Sequence, residues 1–199
     1  MITPETTNTD ELIDKTHQAL MGGARLVQYR NKSTDRRLQE KQAKLLLQLC
    51  KHSFIPLIIN DHLDLALEID ADGLHVGRGD EPIGEARKRL GSNKILGASC
   101  YNDLGRALHA ERQGADYVAF GALFPSQTKP DTVPVTDDFI RNARKQINIP
   151  IVGIGGIKPH NASSAIHNGC DAIAVCHSVY TAKSVKTEVM QFTQLFSVM

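Results

Sequence analysis

The feature that most constrains the fold is a regular alternation of strand-length apolar runs with longer amphipathic stretches along the whole chain. This alternation is typical of β-α units arranged around a parallel sheet. Most of the runs are almost continuously apolar, as expected for strands that are covered on both faces. The eight predicted strands are residues 2–3, 25–29, 56–60, 73–76, 95–98, 117–120, 150–154 and 172–176.

The stretches between these strands carry apolar residues at helical spacing. In residues 37–50, the spacing predicts that Leu38, Leu45, Leu46 and Leu49 face the sheet. Asn8 has the spacing of a helix N-cap at the start of the first helix. The eight predicted helices are residues 11–20, 37–50, 63–68, 83–90, 104–113, 138–146, 161–168 and 185–196.

A short internal repeat recurs about every 50 residues, at 23–27, 70–74, 114–118 and 169–173. Each copy has a helix-ending residue, then a polar position, then the start of a strand. Four units of two strands and two helices predict a single domain over residues 1–199, an α/β fold of the (β/α)8 TIM-barrel type. An open doubly wound sheet is the alternative. The two-residue first strand is expected to leave the barrel weakly closed unless the chain starts further upstream.

Charge and apolar patterning exclude several classes of protein. The chain has 23 Lys plus Arg against 22 Asp plus Glu, a net charge of +1, which argues against a dedicated nucleic-acid or membrane-surface binder. Its apolar runs are far shorter than the roughly 20 residues of a membrane span. The first ten residues show no secretion signal, so we expect a cytoplasmic protein. Cys50, Cys100, Cys170 and Cys176 form no C-x-x-C pair and are predicted to be reduced.

Polar residues follow most of the predicted strands. The active site of a TIM barrel lies at the carboxyl ends of its strands, so these residues are the candidates for chemistry. In chain order, the residues at these strand ends are 28–32, Asn60 and Asp61, 77–80, Ser99, 124–130, 153–156 and 176–178.

The residue types predict two phosphate pockets. Arg30, Lys32 and Lys129 are cations that suit a polyanion, whereas Asp61 and Asp80 are hard oxygen ligands that suit Mg²⁺. Together they predict a metal-bound diphosphate. The glycine turn at 153–156 and the hydroxyl-rich loop at 126–128 are expected to bind a second phosphate.

Each signal alone has a simpler explanation. Asn60 and Asp61 could cap a helix, Asp80 could belong to a turn, and Arg30 with Lys32 could be a solvated charge pair. Their joint occurrence at successive strand ends favours a functional site.

The chain resembles the thiamine-phosphate synthase family over nearly its whole length, with the motifs in the family's order. The residues that carry the resemblance are Gln28, Arg30 and Lys32, Asn60 and Asp61, 71–77 running to Asp80, 97–99, 114–117, 121–129 and 151–157. The family joins a hydroxymethylpyrimidine diphosphate to a thiazole phosphate and releases diphosphate.

The resemblance implies a role for each matching position. Gln28, Arg30, Lys32, Asn60, Ser99 and Lys129 would hold the pyrimidine diphosphate, and Asp61 with Asp80 would bind Mg²⁺. The thiazole phosphate would be contacted by Ser126, Gln127, Thr128, Gly156, Cys176 and His177. The family is understood to react dissociatively, through a pyrimidine-methyl cation that the thiazole nitrogen traps. Arg30, Lys32 and Lys129 would then be the catalytic cations.

Three positions depart from the family pattern. Arg78 stands where Gln is common, Ser126 where Thr is common, and His177 where Ser is usual. Arg78 could face the diphosphate or solvent. His177 could donate to the phosphate, or its ring could turn away and leave only the backbone to bind.

Two other functions fit the same fold. A thiazole tautomerase-like isomerase would have no diphosphate to hold, and the retained cations and carboxylates oppose it. A non-catalytic barrel that senses thiamine precursors would bind both ligands without forming product. A nucleic-acid module is disfavoured because the chain has no basic stripe and no aromatic stacking array. The sequence leaves the oligomeric state open and is compatible with a homo-oligomer.

Overall fold

The structure is a computed structural model that describes residues 1–125 and 134–197. Within these residues, seven strands are hydrogen-bonded in sequence order, and nine helices alternate with or follow them. The strands are β1 (Val27–Tyr29), β2 (Leu57–Asn60), β3 (Gly73–Val76), β4 (Ile95–Tyr101), β5 (Tyr117–Phe120), β6 (Ile151–Ile154) and β7 (Ala172–Ala174). The helices are α1 (Thr9–Met21), α2 (Arg36–His52), α3 (Leu63–Glu68), α4 (Ile83–Leu90), α5 (Leu104–Arg112), α6 (Asp137–Arg144), α7 (Pro159–His167), α8 (His177–Tyr180) and α9 (Val185–Ser197).

Most of the predicted elements are present, and two differ. The predicted first strand is reduced to one parallel bridge between Ile2 and Gln28. The last strand was predicted to run through residue 176 but ends at Ala174, and the short helix α8, which was not predicted, begins at His177. The eight predicted helices are all found, and α1 begins after Asn8, whose side chain accepts from the Glu11 N–H as a cap.

Two compact units make up the chain. The first consists of Met1–Leu74 and Cys176–Met199, and the second of His75–Val175. In the first unit β1 pairs in parallel with β2, α1 packs on α2 and α9, and α8 packs on α9. In the second unit β4, β5, β6 and β7 pair in parallel, with a register shift between Ser99 and Tyr101. The single domain stays a prediction.

The internal repeat has a conformational cause at its first position. All four copies begin with a residue in the left-handed region, where a helix ends and the chain turns into the next strand. Glycine adopts this conformation without steric strain, and aspartate tolerates it better than most residues do. The four residues are Gly23 (φ 98°), Asp70 (φ 54°), Gly114 (φ 92°) and Gly169 (φ 115°).

In three of the four copies, an aspartate forms hydrogen bonds with the backbone at the start of a neighbouring strand. Its carboxylate accepts from the N–H of the first or second residue of that strand, and its own N–H donates to the carbonyl of the same residue, so both backbone groups are satisfied. The carboxylate bonds are Asp72 with Leu57 (2.8 Å), Asp116 with Leu96 (2.7 Å) and Asp171 with Ile151 (2.7 Å).

Helix α2 packs with a different face from the one predicted. Leu46 is fully buried as predicted, but Leu45 is 36% exposed, and the polar residues Gln39 and Gln42 lie inside at 4% and 0%. The buried face is therefore rotated relative to the leucine pattern. The physical reason is that both glutamine amides form hydrogen bonds with the loop after β1, Gln42 with Asn31 and Gln39 with Ser33, which offsets the cost of burying them.

The four cysteines are free thiols, as predicted. No helix within the described ranges is both long enough and apolar enough to cross a bilayer.

The adjacent leucines of α2 provide a test of this packing. We expect Leu46→Ala to lower the free energy of unfolding by about 2–5 kcal/mol, because it leaves a cavity in the core. Leu45→Ala is the matched control and should change the same quantity by less than about 1 kcal/mol, because that side chain is partly exposed. Urea denaturation measures both, and equal losses would contradict the observed helix face.

Candidate active site

The loop after β1 carries Arg30 and Lys32 and is held by the buried amide of Gln42. Its Oε1 accepts from the Tyr29 hydroxyl at 2.8 Å and from the Asn31 side-chain amide at 3.2 Å. Its Nε2 donates to the Thr6 carbonyl at 3.0 Å. One helix residue therefore ties together the strand end and the segment before α1.

Gln39, one turn earlier in α2, fixes the backbone around Lys32. Its Nε2 donates to the carbonyls of Asn31 at 3.2 Å and Ser33 at 2.8 Å. The Asn31 side chain in turn accepts from the Ser33 N–H at 2.9 Å. The residues on both sides of Lys32 are therefore held by hydrogen bonds, and the Lys32 side chain is 56% exposed.

Gln28 lies within β1, and Arg30 directly follows the strand. Gln28 is 6% exposed, Arg30 is partly buried, and the Arg30 N–H donates to the Thr3 hydroxyl at 2.9 Å. Burial raises the pKa of the Cys176 thiol, and the nearby Arg30 guanidinium acts in the opposite direction. Arg30 and Cys176, which the resemblance assigns to two different pockets, therefore lie near each other in the first unit.

Lys32 and Asp61 form an ion pair across the ends of β1 and β2. The Lys32 Nζ lies 3.3 Å from the Asp61 Oδ2, with the lysine side chain 56% exposed and the aspartate 17% exposed. Asp61 has a left-handed backbone with φ 64°, and the preceding Asn60 is 8% exposed. Asp61 is therefore not the N-cap of α3, which begins after His62 without a side-chain cap.

The predicted thiazole-phosphate contacts Cys176 and His177 lie where β7 gives way to α8. Cys176 is partly buried and precedes the helix, and His177 is its exposed first residue. The next residue, Ser178, has a buried hydroxyl that makes no hydrogen bond within the part of the chain that the structure describes.

In the second unit, Asp80 closes the turn after β3. Its Oδ2 accepts from the Gly77 N–H at 2.7 Å. A Cβ on Gly77 would lie 3.1 Å from that oxygen and 3.3 Å from the Tyr101 hydroxyl, so the glycine permits this close approach. Arg78 is exposed, and its guanidinium lies 5.0 Å from the centre of the Tyr101 ring.

Ser99 is joined to the buried side chain of His75. The Ser99 Oγ lies 2.8 Å from His75 Nε2, and the Tyr117 hydroxyl lies 2.9 Å from Nδ1. The Ser99 carbonyl accepts from Arg106 Nε at 2.7 Å. Burial lowers the pKa of His75 to about 4, although the negative charge of Asp80 acts to raise it, so the imidazole is neutral at pH 7.

Gly156 lies in the turn between β6 and α7. It has φ 64°, and a Cβ at this position would lie 2.6 Å from the carbonyl oxygens of Phe124 and Pro125. The side-chain amide of Asn161 donates to the Gly156 carbonyl at 3.1 Å. The glycine is therefore required by a close backbone approach as well as by its left-handed conformation. Ser126, Gln127, Thr128 and Lys129 lie outside the described residues.

The donor set fits Mg²⁺ in its chemistry. Among residues 1–125 and 134–197, no group of three or more His, Cys, Asp or Glu side chains gathers into a metal cluster. Mg²⁺ is commonly bound by one or two protein carboxylates, with waters and substrate phosphates completing its shell. Asp61 follows β2 in the first unit and Asp80 lies in the turn after β3 in the second unit, and each offers carboxylate oxygens of the kind that Mg²⁺ prefers.

Several residues of the site escaped the sequence reasoning. The predicted apolar face of α2 does not include Gln39 or Gln42, His75 and Tyr117 lie in predicted strands, and Tyr101 lies between a predicted strand and a predicted helix. An apolar helix face interrupted by two glutamines three residues apart was the one available signal for the first pair. The others are polar groups within or next to strands, and their partners come from different strands.

The buried histidine gives a pH prediction. His75 has its folded-state pKa lowered from 6.5 to about 4, so its contribution to stability is present above pH 6.5 and is lost as the pH falls through 4. Relative to His75→Gln, we expect the wild-type free energy of unfolding to fall by about 3 kcal/mol between pH 7 and 4. Urea denaturation across this range measures the difference, and parallel curves for the two proteins would contradict it.

Comparison with known proteins identifies relatives over almost the whole chain. The family model described as thiamine monophosphate synthase matches residues 1–179. A protein named thiamine-phosphate synthase from Nitrosospira multiformis is 52% identical over 98% of this chain and 83% of its own length. A protein of the same name from Nitrosomonas eutropha is 48% identical over 98% of this chain and 92% of its own length.

A solved structure also matches. Thiamine phosphate pyrophosphorylase from Pyrococcus furiosus superimposes with a TM-score of 0.89 at 33% identity, covering 99% of this chain and 94% of that one. This similarity confirms the predicted α/β fold of TIM-barrel type. By sequence and by fold, the chain belongs to the thiamine monophosphate synthase family.

Proposed function

We propose that this chain is a thiamine-phosphate synthase, a transferase. It would move the 4-amino-2-methyl-5-pyrimidinylmethyl group from its diphosphate to the nitrogen of a thiazole phosphate, giving thiamine phosphate and diphosphate. The observation that carries the proposal is the Lys32–Asp61 ion pair between two strand ends, in a chain that belongs to this family.

The diphosphate would be held mainly by cations. Arg30 and Lys32 sit on a loop whose backbone is held by hydrogen bonds from a buried amide, so the backbone that carries the two cations is in place before substrate binds. Pre-organised charges stabilise a developing anion without reorganising at the moment of reaction. Gln28, Asn60 and Ser99 would add hydrogen bonds, and Lys129 a third cation.

The Asp61 and Asp80 carboxylates would hold Mg²⁺. When bound, Mg²⁺ supplies positive charge to the diphosphate oxygens. The Lys32 ammonium, 3.3 Å from the Asp61 carboxylate, would then lie beside the same group of phosphate oxygens. This arrangement supports binding of the diphosphate at the ends of β1 and β2.

The bond changes follow from these charges. The bond between the pyrimidine methylene carbon and the diphosphate oxygen breaks, and both electrons leave with the diphosphate. Negative charge grows on the leaving group, so Arg30, Lys32 and Lys129 stabilise the transition state more than the ground state. The thiazole nitrogen then donates its lone pair to the cationic carbon. This nitrogen carries no proton to remove, so the step needs no general base.

The thiazole phosphate would be oriented by a second group of residues. Gly156 and the residues that precede α8 support this, because each lies at the carboxyl end of a strand. The residues proposed for this pocket are Ser126, Gln127, Thr128, Gly156, Cys176 and His177. Their contribution would be orientation of the attacking nitrogen rather than charge.

A cytoplasmic location, a homo-oligomeric state and the absence of nucleic-acid or membrane partners remain predictions. Mixing both substrates with Mg²⁺ and the protein tests the central proposal. We expect diphosphate and thiamine phosphate to appear in equal amounts. Tight binding of both substrates without product would identify a sensor, and turnover of the thiazole alone an isomerase.

Variants of the proposed site should lose turnover. We expect Asp61→Ala, Lys32→Ala and Lys129→Ala each to lower kcat by about 10²–10³-fold, the loss typical of removing one group that stabilises a developing anion. Asp61→Ala should also raise the Mg²⁺ concentration that gives half-maximal rate. Steady-state assays of diphosphate release measure both quantities.

The controls remove equal charges elsewhere. Lys88 is 73% exposed and pairs with Glu85 in its own helix, and Asp138 is 89% exposed and pairs with Arg141 in its own helix. Lys88→Ala and Asp138→Ala should therefore keep wild-type rates. Near-normal turnover of Asp61→Ala and Lys129→Ala at saturating Mg²⁺ would show that the site assignment is wrong.

A further inference from the structure

Three side chains of the second unit form a continuous hydrogen-bonded line. It runs from the Tyr117 hydroxyl to His75 Nδ1 at 2.9 Å, and from His75 Nε2 to the Ser99 hydroxyl at 2.8 Å. The residues come from β5, β3 and β4 respectively. Only Ser99 has a role implied by the family resemblance, so the other two members have no assigned function.

Gly97 makes this line possible. It is the register partner of Tyr117, directly opposite it in the parallel pair of β4 and β5. A Cβ on Gly97 would overlap the Tyr117 Cζ and hydroxyl oxygen, so the ring crosses β4 only because this residue has no side chain. In that position the Tyr117 ring stacks on His75, with centroids 5.5 Å apart and an interplanar angle of 26°.

The imidazole has one donor and one acceptor. His75 is 5% exposed, and burial disfavours its charged form, so one ring nitrogen carries a hydrogen and the other does not. Both neighbours are hydroxyls, which can donate or accept. The line therefore has two allowed directions, and they differ in where the Ser99 hydrogen points.

The direction matters because a phosphate oxygen only accepts hydrogen bonds. If Nε2 were the acceptor, the Ser99 hydroxyl would donate its hydrogen to His75 and would present only lone pairs to the anion. If Nε2 carries the hydrogen, it donates to Ser99 Oγ and leaves the Ser99 hydrogen for the anion. A charge-assisted bond to phosphate is stronger than a neutral one, so the anion favours the second direction.

We propose that Gly97, Tyr117 and His75 are positioning residues that aim the Ser99 hydrogen at the diphosphate. Tyr117 donates to Nδ1, the Nε2 hydrogen is donated to Ser99, and Ser99 donates to a phosphate oxygen. No proton is transferred. The inference rests on the proposed function, in which Ser99 contacts the pyrimidine diphosphate, and it names the residues that set the direction of that contact.

The tautomer is measured directly by NMR. In protein labelled with ¹⁵N-histidine and saturated with inorganic diphosphate, we expect His75 to have a protonated Nε2 and an unprotonated Nδ1. His75→Gln assigns the signal by its loss, and Tyr117→Phe assigns it independently by shifting Nδ1, should the first variant fail to fold. A His75 protonated at Nδ1 would overturn the proposal.

A double-mutant cycle separates positioning from a general structural role. We expect Tyr117→Phe to lower kcat/KM for the pyrimidine diphosphate about tenfold in the wild-type background. The same change in a Ser99→Ala background should have almost no effect, because the hydroxyl it acts through is gone. Equal losses in both backgrounds would overturn the proposal.

Tyr180→Phe is the matched control. It removes another buried tyrosine hydroxyl, bonded to Thr16 at 2.9 Å in the first unit, and should leave kcat/KM unchanged. Gly97→Ala should reproduce the NMR shift of Tyr117→Phe, because its Cβ displaces the ring.

The two levels of the proposal fail in different ways. Unaltered protein that forms no thiamine phosphate would overturn the proposed function and with it the target of Ser99. An Nδ1-protonated His75 in a protein that does form product would overturn only the positioning role.

Discussion

The side-chain amide of Gln42 joins three parts of the first unit, and the geometry of the loop after β1 depends on it. Its oxygen accepts from Tyr29 and Asn31, and its nitrogen donates to the backbone before α1. A buried amide left without partners would cost roughly 1–3 kcal/mol, so the three segments must meet for the helix to pack this way. The same requirement holds Arg30 and Lys32 at the strand end.

The Lys32–Asp61 ion pair has a different character. With the lysine side chain 56% exposed, solvent screens the attraction, and such pairs contribute about 0–1 kcal/mol to stability. Stability therefore does not explain why a cation and a carboxylate meet here. The proposed metal-diphosphate site would account for the pair, because the metal would take the Asp61 carboxylate and a phosphate oxygen would take the Lys32 ammonium. The second unit shows the opposite case, since His75 is deeply buried and holds its partners through neutral hydrogen bonds.

Much of the fold was predictable because it follows from local rules. The repeat marked the helix ends, since left-handed positions favour glycine, and three of its copies carry the aspartate that fastens a strand. The spacing of the apolar residues predicted the strands and the helices. Boundaries were less predictable where chain direction changes at a polar segment, as at α8, whose four residues make no complete amphipathic pattern.

The sequence by itself determined the fold class and the candidate cations, carboxylates and hydroxyls, because their order and spacing place them after successive strands. Only the tertiary structure decided which polar groups are buried and what they contact. From the sequence, Gln42 resembles a surface residue of a helix, but in the structure it is bonded to Tyr29 and Asn31. His75 resembles an ordinary strand residue, but it is bonded to Tyr117 and Ser99 from two other strands. The physical reason is that a hydrogen bond needs a partner at about 3 Å, and partners distant in sequence meet at that range only after the chain has packed.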